Sequence, residues 1–133
     1  MDRLEKRLTF LFALRKEHLN NALEEFGLTY EDYQIINVLQ YVNEASIKDL
    51  MYKTSYRLSI VEEIIKNLLE KQLIEINEDK ICLTSQIKKI FPFIKRKIKE
   101  EDEHIVEKIP KDEMNQIVET LDKLVDYYDI KTH

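Results

Sequence analysis

Apolar residues change their spacing within residues 46 to 84, SIKDLMYKTSYRLSIVEEIIKNLLEKQLIEINEDKICLT, and the change spells out a series of elements. Val61, Ile64, Ile65, Leu68 and Leu69 fall at i, i+3, i+4, i+7 and i+8, a helical stripe roughly 140° wide that must be buried. At about 100° per residue, Ser59, Glu63, Lys66 and Glu70 fall roughly opposite, with Glu62 and Asn67 on the flanks. A shorter helix precedes this one, beginning after a Ser46 cap and carrying Ile47, Leu50 and Met51 inward. Beyond it the period becomes two. Ile74, Ile76, Ile81 and Leu83 alternate about the polar tetrad Asn77 to Lys80, which predicts two short strands and a tight turn. Helix, tight turn, longer helix and hairpin in that order predict a winged helix-turn-helix, whose second helix turns its free face to a partner.

The flanks read as helices. The first is expected from about Asp2 to Phe26, with Leu4, Leu8, Phe12, Leu19 and Leu23 apolar and Gly27 as its C-terminal cap. Thr29, with Asp32 three residues on, makes a loose capping box for TYEDYQIINVLQYV, a core helix through Ile35, Ile36, Val38, Leu39 and Val42. After the hairpin, SQIKKIFPFIKRKIKEEDEHIVEKI predicts one long helix, kinked or begun afresh near Pro92, and Pro110 opens the last helix. Ile105, Val106, Ile109, Ile117, Leu121, Leu124 and Val125 form apolar faces near one end of the chain, and Leu4, Leu8 and Leu11 form another at the other end. A two-fold dimer interlocking the termini buries both; the plainer alternative folds these helices over the same chain's core. The expected architecture is therefore mainly α with a short β-hairpin wing. A winged helix-turn-helix at 28–86 is flanked by N- and C-terminal dimerisation helices at 1–27 and 87–133, in a single domain of 1–133.

Composition narrows the classes. A chain of 133 residues holds one core, and a single glycine with two prolines disfavours a fold made of many tight turns and rules out a glycine-rich phosphate loop. Cys82 alone forms neither an intramolecular disulfide nor a zinc cluster, which fits a reducing cytoplasm. The apolar runs are too short to cross a bilayer, so no membrane partner is expected, and no export signal opens the chain. The net charge of −5 argues by itself against a nucleic-acid partner, but its distribution does not. Residues 1 to 44 carry 5 basic and 8 acidic side chains, residues 45 to 99 carry 12 and 7, and residues 100 to 133 carry 4 and 11. The winged-helix part and the run after it are the basic part, as phosphate binding requires.

In this setting Lys48, Lys53, Arg57, Lys66 and Lys80 are the candidate phosphate ligands, and Ser59, Glu62, Glu63 and Asn67 are the candidates near base edges. A further basic run, Lys88, Lys89, Lys95, Arg96, Lys97 and Lys99, follows the hairpin. Glu100, Glu101 and Glu103 lie four residues after Arg96, Lys97 and Lys99 and are placed to pair with them. Lys88 and Lys89 are therefore expected to matter more for DNA than the later four.

The chain resembles the multiple antibiotic resistance regulator (MarR) family of bacterial transcription factors, close in fold to the staphylococcal accessory regulators. The resemblance covers nearly the whole chain. It rests on the helix break followed by LTYEDYQIINVL at 28–39, on SIKDLMYKTSYRLSIVEEIIKNLLEKQLI at 46–74, on CLTSQ at 82–86 and on IPKDEMNQIVETLDKL at 109–124. It implies a homodimer built from first and last helices, a recognition helix starting near Ser59, a wing at 75–83, double-stranded DNA as partner and often a cleft for a small-molecule effector. The sequence departs from the family pattern in three places. The wing has Asn77, Glu78, Asp79 and Lys80 where an Asp and Arg pair is usual, so the minor-groove contact is lost or falls to Lys80. Glu62 and Glu63 stand where small hydroxyl and arginine side chains are common, and Gln72 stands where a glycine usually ends the helix. A protein-interaction module that kept the fold and lost DNA is the alternative these carboxylates favour.

Other constellations have plainer readings. Glu101, His104 and Glu107 at i, i+3 and i+6 could seed a metal site across a two-fold axis, but a solvated acidic face explains them as well. Cys82 as a redox sensor needs a low-pKa thiolate, and Lys80 is the one basic residue close in sequence. His18 with Phe10, Phe12, Tyr33 or Tyr41 could line an effector cleft, though aromatic residues at helical spacing are more often core. No Ser, His and Asp spacing and no carboxylate pair indicates catalysis. No cofactor and no enzyme activity are expected.

Overall fold

The helices before the wing stop where a residue takes a positive φ, at Gly27, Asn43, Ser55 and Gln72. The first helix, α1 (Asp2–Leu23), tightens into a 3-10 turn at Glu24–Phe26 and ends on Gly27 at φ 70. There the Gly27 N–H donates to Glu24 O (2.9 Å) and the Leu28 N–H to Leu23 O (3.3 Å). The computed structural model describes the backbone of residues 2–132 and the side chains of 3–128. Met1 and His133, the ends of the expected domain, lie outside the described residues.

Helix α2 (Tyr30–Val42) begins with the Thr29 box: the Asp32 N–H donates to Thr29 Oγ1 (3.1 Å) and the Thr29 N–H to Asp32 Oδ2 (3.0 Å). The same device starts α3 (Ile47–Thr54), where Ser46 and Asp49 exchange both bonds at 3.1 Å. Ser55 at φ 64 ends α3, and α4 (Leu58–Glu70) follows without a side-chain cap on Arg57. Strands β2 (Ile74–Asn77) and β3 (Lys80–Leu83) form the hairpin, with Ile74 opposite Leu83 and Asn77 opposite Lys80. A two-residue strand, β1 (Glu44–Ala45), pairs with β3 on its other side, so the sheet order is β1-β3-β2. That strand escapes a periodicity reading because two residues cannot show an alternation.

The core lies between α2, α3, α4 and the sheet. Leu23, Ile35, Leu39, Leu50, Val61, Leu68, Ile81 and Ile87 are its most deeply buried side chains. Helix α5 (Ser85–Val106) runs through Pro92 without a break and lays Ile87, Phe91, Ile94 and Ile98 on this core. Pro92 is exposed, so the Lys88 carbonyl it leaves without a helical donor faces water. Ile76 departs from the expected alternation: it is 44% exposed because β2 is the edge strand and only Ile74, at its base, reaches the core. In α1, Leu19 and Leu23 are buried as expected, but Leu4, Phe12 and Leu11 are exposed, since only the C-terminal end of α1 meets this core.

By contacts the chain divides between Ile98 and Lys99. In the C-terminal unit the chain turns at Ile109, whose N–H donates to Val106 O (3.0 Å), and enters α6 (Lys111–Thr132). Met114 and Leu124 are half-buried, whereas Ile117, Val118, Leu121 and Val125 on the same side of α6 are exposed. Asp112, Glu119, Asp122 and Asp126 fall on the opposite side. No helix among the described residues is long and apolar enough to cross a membrane.

Candidate nucleic-acid interface

The two sides of α4 separate as its sequence dictates. Val61, Ile64, Ile65 and Leu68 are buried, and Ser59, Glu62, Glu63, Lys66, Asn67 and Glu70 are exposed. Leu69, the last member of the expected stripe, is 38% exposed at its edge. Burial of the four apolar residues against α2, α3 and β2 fixes the rotation of the helix, so the polar set is held outward by packing rather than by contacts of its own. The helix ends in a Schellman arrangement: the Gln72 N–H donates to Leu69 O (3.0 Å) and the Leu73 N–H to Leu68 O (3.0 Å), with Gln72 at φ 60. Gln72 thus takes the backbone conformation for which glycine is the usual choice.

The turn before α4 is tied to α3. Thr54 Oγ1 donates to Leu50 O (2.6 Å) and accepts from the Tyr56 N–H (3.2 Å), which directs Arg57 and the first turn of α4 away from the core. Burial pushes the Tyr56 hydroxyl up to about 12, with Tyr30 and Glu31 adding to the shift. Hydrogen bonds from the Ser46 backbone and hydroxyl hold the Asp49 carboxyl below its ordinary range, with Lys80 and Lys53 contributing nearby positive charge. Lys80, at the tip end of the wing, therefore stands beside the first turn of α3. Register explains it: Ala45 pairs with Ile81, which sets Ser46 next to Lys80.

Every candidate DNA ligand, Lys48, Lys53, Arg57, Ser59, Glu62, Glu63, Lys66, Asn67, Lys80, Lys88 and Lys89, is exposed. None of the basic ones is in an ion pair among the described residues. Three other lysines among the described residues are paired within the fold, the first being Lys16 with Glu31. Lys71 Nζ donates to Gly27 O (2.6 Å) and lies 3.7 Å from Asp32, the one buried charge among the described residues, and Lys97 lies 3.3 Å from Glu25. The sequence reading passed over Leu58 and Ile60, which are exposed on the first turn of α4 and offer apolar contacts for a thymine methyl. Their signal was there, since both lie off the buried stripe. The wing tip carries Glu78 and Asp79, exposed, with Glu78 at φ 60.

The aromatic set does not converge. Tyr33 stacks on Phe91 (centroids 6.5 Å apart), Phe12 meets Tyr30 edge-on at 6.1 Å, and Phe10, Tyr41 and His18 are exposed. A separate concavity of about 500 Å³ opens where α1 meets α2, lined by Lys16, Asn20, Asn21, Glu24, Gly27, Leu28, Thr29 and Glu31. The Cys82 thiol is pushed up by burial and by Glu75, and Lys88 rather than Lys80 is the cation that acts on it. Among the described residues no three His, Cys, Asp or Glu side chains converge on a point for a metal ion.

Neither a family profile nor the sequence of a curated protein matches the chain. Solved structures do. A MarR transcriptional regulator from Methanosarcina mazei superposes with a TM-score of 0.87 over 99% of this chain and 92% of its own, at 15% identity. The fold is that of the MarR transcriptional regulators. The reduced form of MarR from E. coli gives 0.82 over 91% and 92% of the two chains, again at 15% identity. Staphylococcus aureus MarR, in complex with salicylate and kanamycin, gives 0.84 over 96% and 91% at 12% identity. In that fold α4 is the second helix of the helix-turn-helix, and β2 and β3 form the wing.

Proposed function

We propose that the chain is a homodimeric, DNA-binding transcriptional regulator of MarR type, acting in the cytoplasm on a pseudo-palindromic duplex site. One observation carries the reading: α4 is rotated by its buried stripe so that Ser59, Glu62, Glu63, Lys66 and Asn67 face outward together, amid exposed cations at Lys48, Lys53, Arg57 and Lys80 that are in no ion pair among the described residues. Outward polar side chains on a helix that fits a major groove read base edges, and the surrounding cations hold phosphates. The dimer part rests on the apolar residues left open on α1 and α6, which a second copy would cover. Salicylate on the S. aureus protein makes a small acid the natural effector probe, and titration calorimetry of this chain with salicylate tests it.

Fluorescence anisotropy against a random-sequence duplex library at about 50 mM salt tests the function directly. Salt-sensitive binding is expected, and its absence overturns the reading. The second reading is an interaction module without DNA affinity, favoured by the four exposed carboxylates Glu62, Glu63, Glu78 and Asp79. On that reading the double change Glu62→Ser with Glu63→Arg creates duplex binding that the unaltered protein lacks.

A further inference from the structure

Residues 86 to 98 contain no acidic side chain but five basic ones. At about 100° per residue, Lys88, Lys89, Pro92, Lys95 and Arg96 share one side of α5, opposite the buried Ile87, Phe91, Ile94 and Ile98. All five are exposed, and none of the four cations is in an ion pair among the described residues. Lys97, at the margin, is the exception through Glu25. Aromatic rings hold two of the four instead. Lys95 Nζ lies 5.8 Å and 5.7 Å from the ring centres of Tyr33 and Phe91, and the Arg96 guanidinium lies 5.7 Å from that of Phe93. A ring fixes a cation without neutralising it. Four charges in no ion pair among the described residues are thus displayed along about 12 Å of helix, at a cost in mutual repulsion that acidic neighbours on α5 would have relieved.

Lys88 still acts on Cys82 of the wing, but the far end of this face, Lys95 and Arg96, leaves the recognition surface behind. Phe91 stacks on Tyr33 in the first turn of α2, and Lys97 reaches Glu25 at the end of α1. The C-terminal end of α4 meets the same junction through Lys71 and Gly27, so the groove-entering first turn of α4 is about 18 Å away along its axis.

We propose that Lys88, Lys89, Lys95 and Arg96 form a second phosphate-binding surface, which takes the backbone of duplex DNA beyond the segment that α4 reads. Row, spacing and sign match a polyanion with a regular charge repeat. Phe93, 55% exposed, is the one large apolar side chain open on this part of α5, too little to anchor a membrane or a protein interface. The inference rests on the proposed DNA-binding function and adds Lys95 and Arg96 to Lys88 and Lys89, which were expected to matter more than the later cations.

The test uses the full chain, unaltered, with Lys95→Gln and Arg96→Gln together, and with Lys53→Gln and Arg57→Gln together. Circular dichroism verifies unchanged helicity. Anisotropy is read on duplexes of about 15 and about 40 base pairs across a salt series. The α5 pair is expected to flatten the salt slope by about two on the long duplex and leave the short one nearly unchanged. An unchanged slope on the long duplex, or equal loss on both lengths, overturns the second surface while the function stands. Loss with the α5 pair and none with the α3–α4 pair overturns the recognition-helix function and leaves this surface. No duplex binding by the unaltered protein removes both. Binding to phosphatidylserine vesicles that the α5 pair abolishes, with DNA binding unaltered, assigns the face to a membrane and overturns the proposal.

Discussion

Replacing Gln72 with glycine should stabilise the protein, although it deletes a side chain and adds no contact. Gln72 sits at φ 60 in the Schellman cap that ends α4, bracketed by the Gln72-to-Leu69 and Leu73-to-Leu68 bonds. An L-residue held in that region costs about 1–2 kcal/mol, whereas glycine's extra freedom in the unfolded chain costs about 0.5–1 kcal/mol. The difference leaves Gln72→Gly more stable by about 0.5–1 kcal/mol, or about 2–4 °C in Tm for a domain of this size. Reversible thermal unfolding by circular dichroism, at one fixed protein concentration because a dimer's Tm depends on it, reads the shift. Gln72→Val, whose branched Cβ tolerates a positive φ least, should move Tm the other way. Equal or lower stability of the glycine variant refutes the reasoning, since the cap would then not be strained.

Three other outcomes follow from particular side chains. Leu121, 43% exposed at the centre of the apolar face of α6, should be buried by a second copy; sedimentation of the unaltered protein should give about twice 16.1 kDa, and Leu121→Asp should give a single chain's mass, so an intact dimer in that variant sinks the terminal-helix interface. Glu63→Gln should cost about 1–3 kcal/mol on the preferred site and relax preference at one base pair, with non-specific affinity little changed; a preferred site bound as tightly as before removes Glu63 as a base reader. The Tyr56 hydroxyl titrates at about 12 rather than the ordinary 10.0, so its stabilising contribution is complete below pH 10 and is lost as pH rises toward 12. Tyr56→Phe should lose less stability than the unaltered protein between about pH 9 and about pH 11 in urea unfolding, a difference on the order of 1 kcal/mol because the side chain is only half-buried, and parallel pH profiles count against the shift.

What was legible in the sequence was what local physics decides. The stripe Val61, Ile64, Ile65 and Leu68 fixed which side of α4 is buried, and Thr29 with Asp32, and Ser46 as a cap, announced two helix starts, while Asp49 as the partner of Ser46 emerged only in the structure. Tertiary matters were hidden. Lys71 and Lys97 read like any other lysine, yet one is bound to Gly27 and close to Asp32 and the other is beside Glu25, partners far away in sequence. The same applies to the aromatic residues: spacing puts Tyr33 on the inner side of α2, but only packing shows that its neighbour is Phe91 and not Phe10 or Tyr41. Pro92 could not be judged without knowing that it faces water, and Ile76 could not be judged without knowing that β2 is the edge strand.

Charge is arranged on the outward surface with carboxylates at the middle of α4 and cations around them, and that order has a consequence for the proposed function. On that proposal Lys48, Lys53 and Arg57 on α3 and the turn, and Lys80 on the wing, would meet phosphates on any duplex and so set affinity without regard to sequence. Glu62 and Glu63 would face the groove, where a carboxylate without a donor is repelled by the surrounding phosphates and one that meets a cytosine N4 amino group is satisfied. The acidic pair would therefore subtract from binding at most sites and least at those with a donor in register, which is discrimination by penalty rather than by gain. The exposed Glu78 and Asp79 of the wing tip would extend the same penalty toward the minor groove. Such a surface would gain selectivity at the expense of overall affinity, and the proposed second row of cations along α5, in no ion pair among the described residues, would restore attraction to DNA without lowering the penalty at wrong bases.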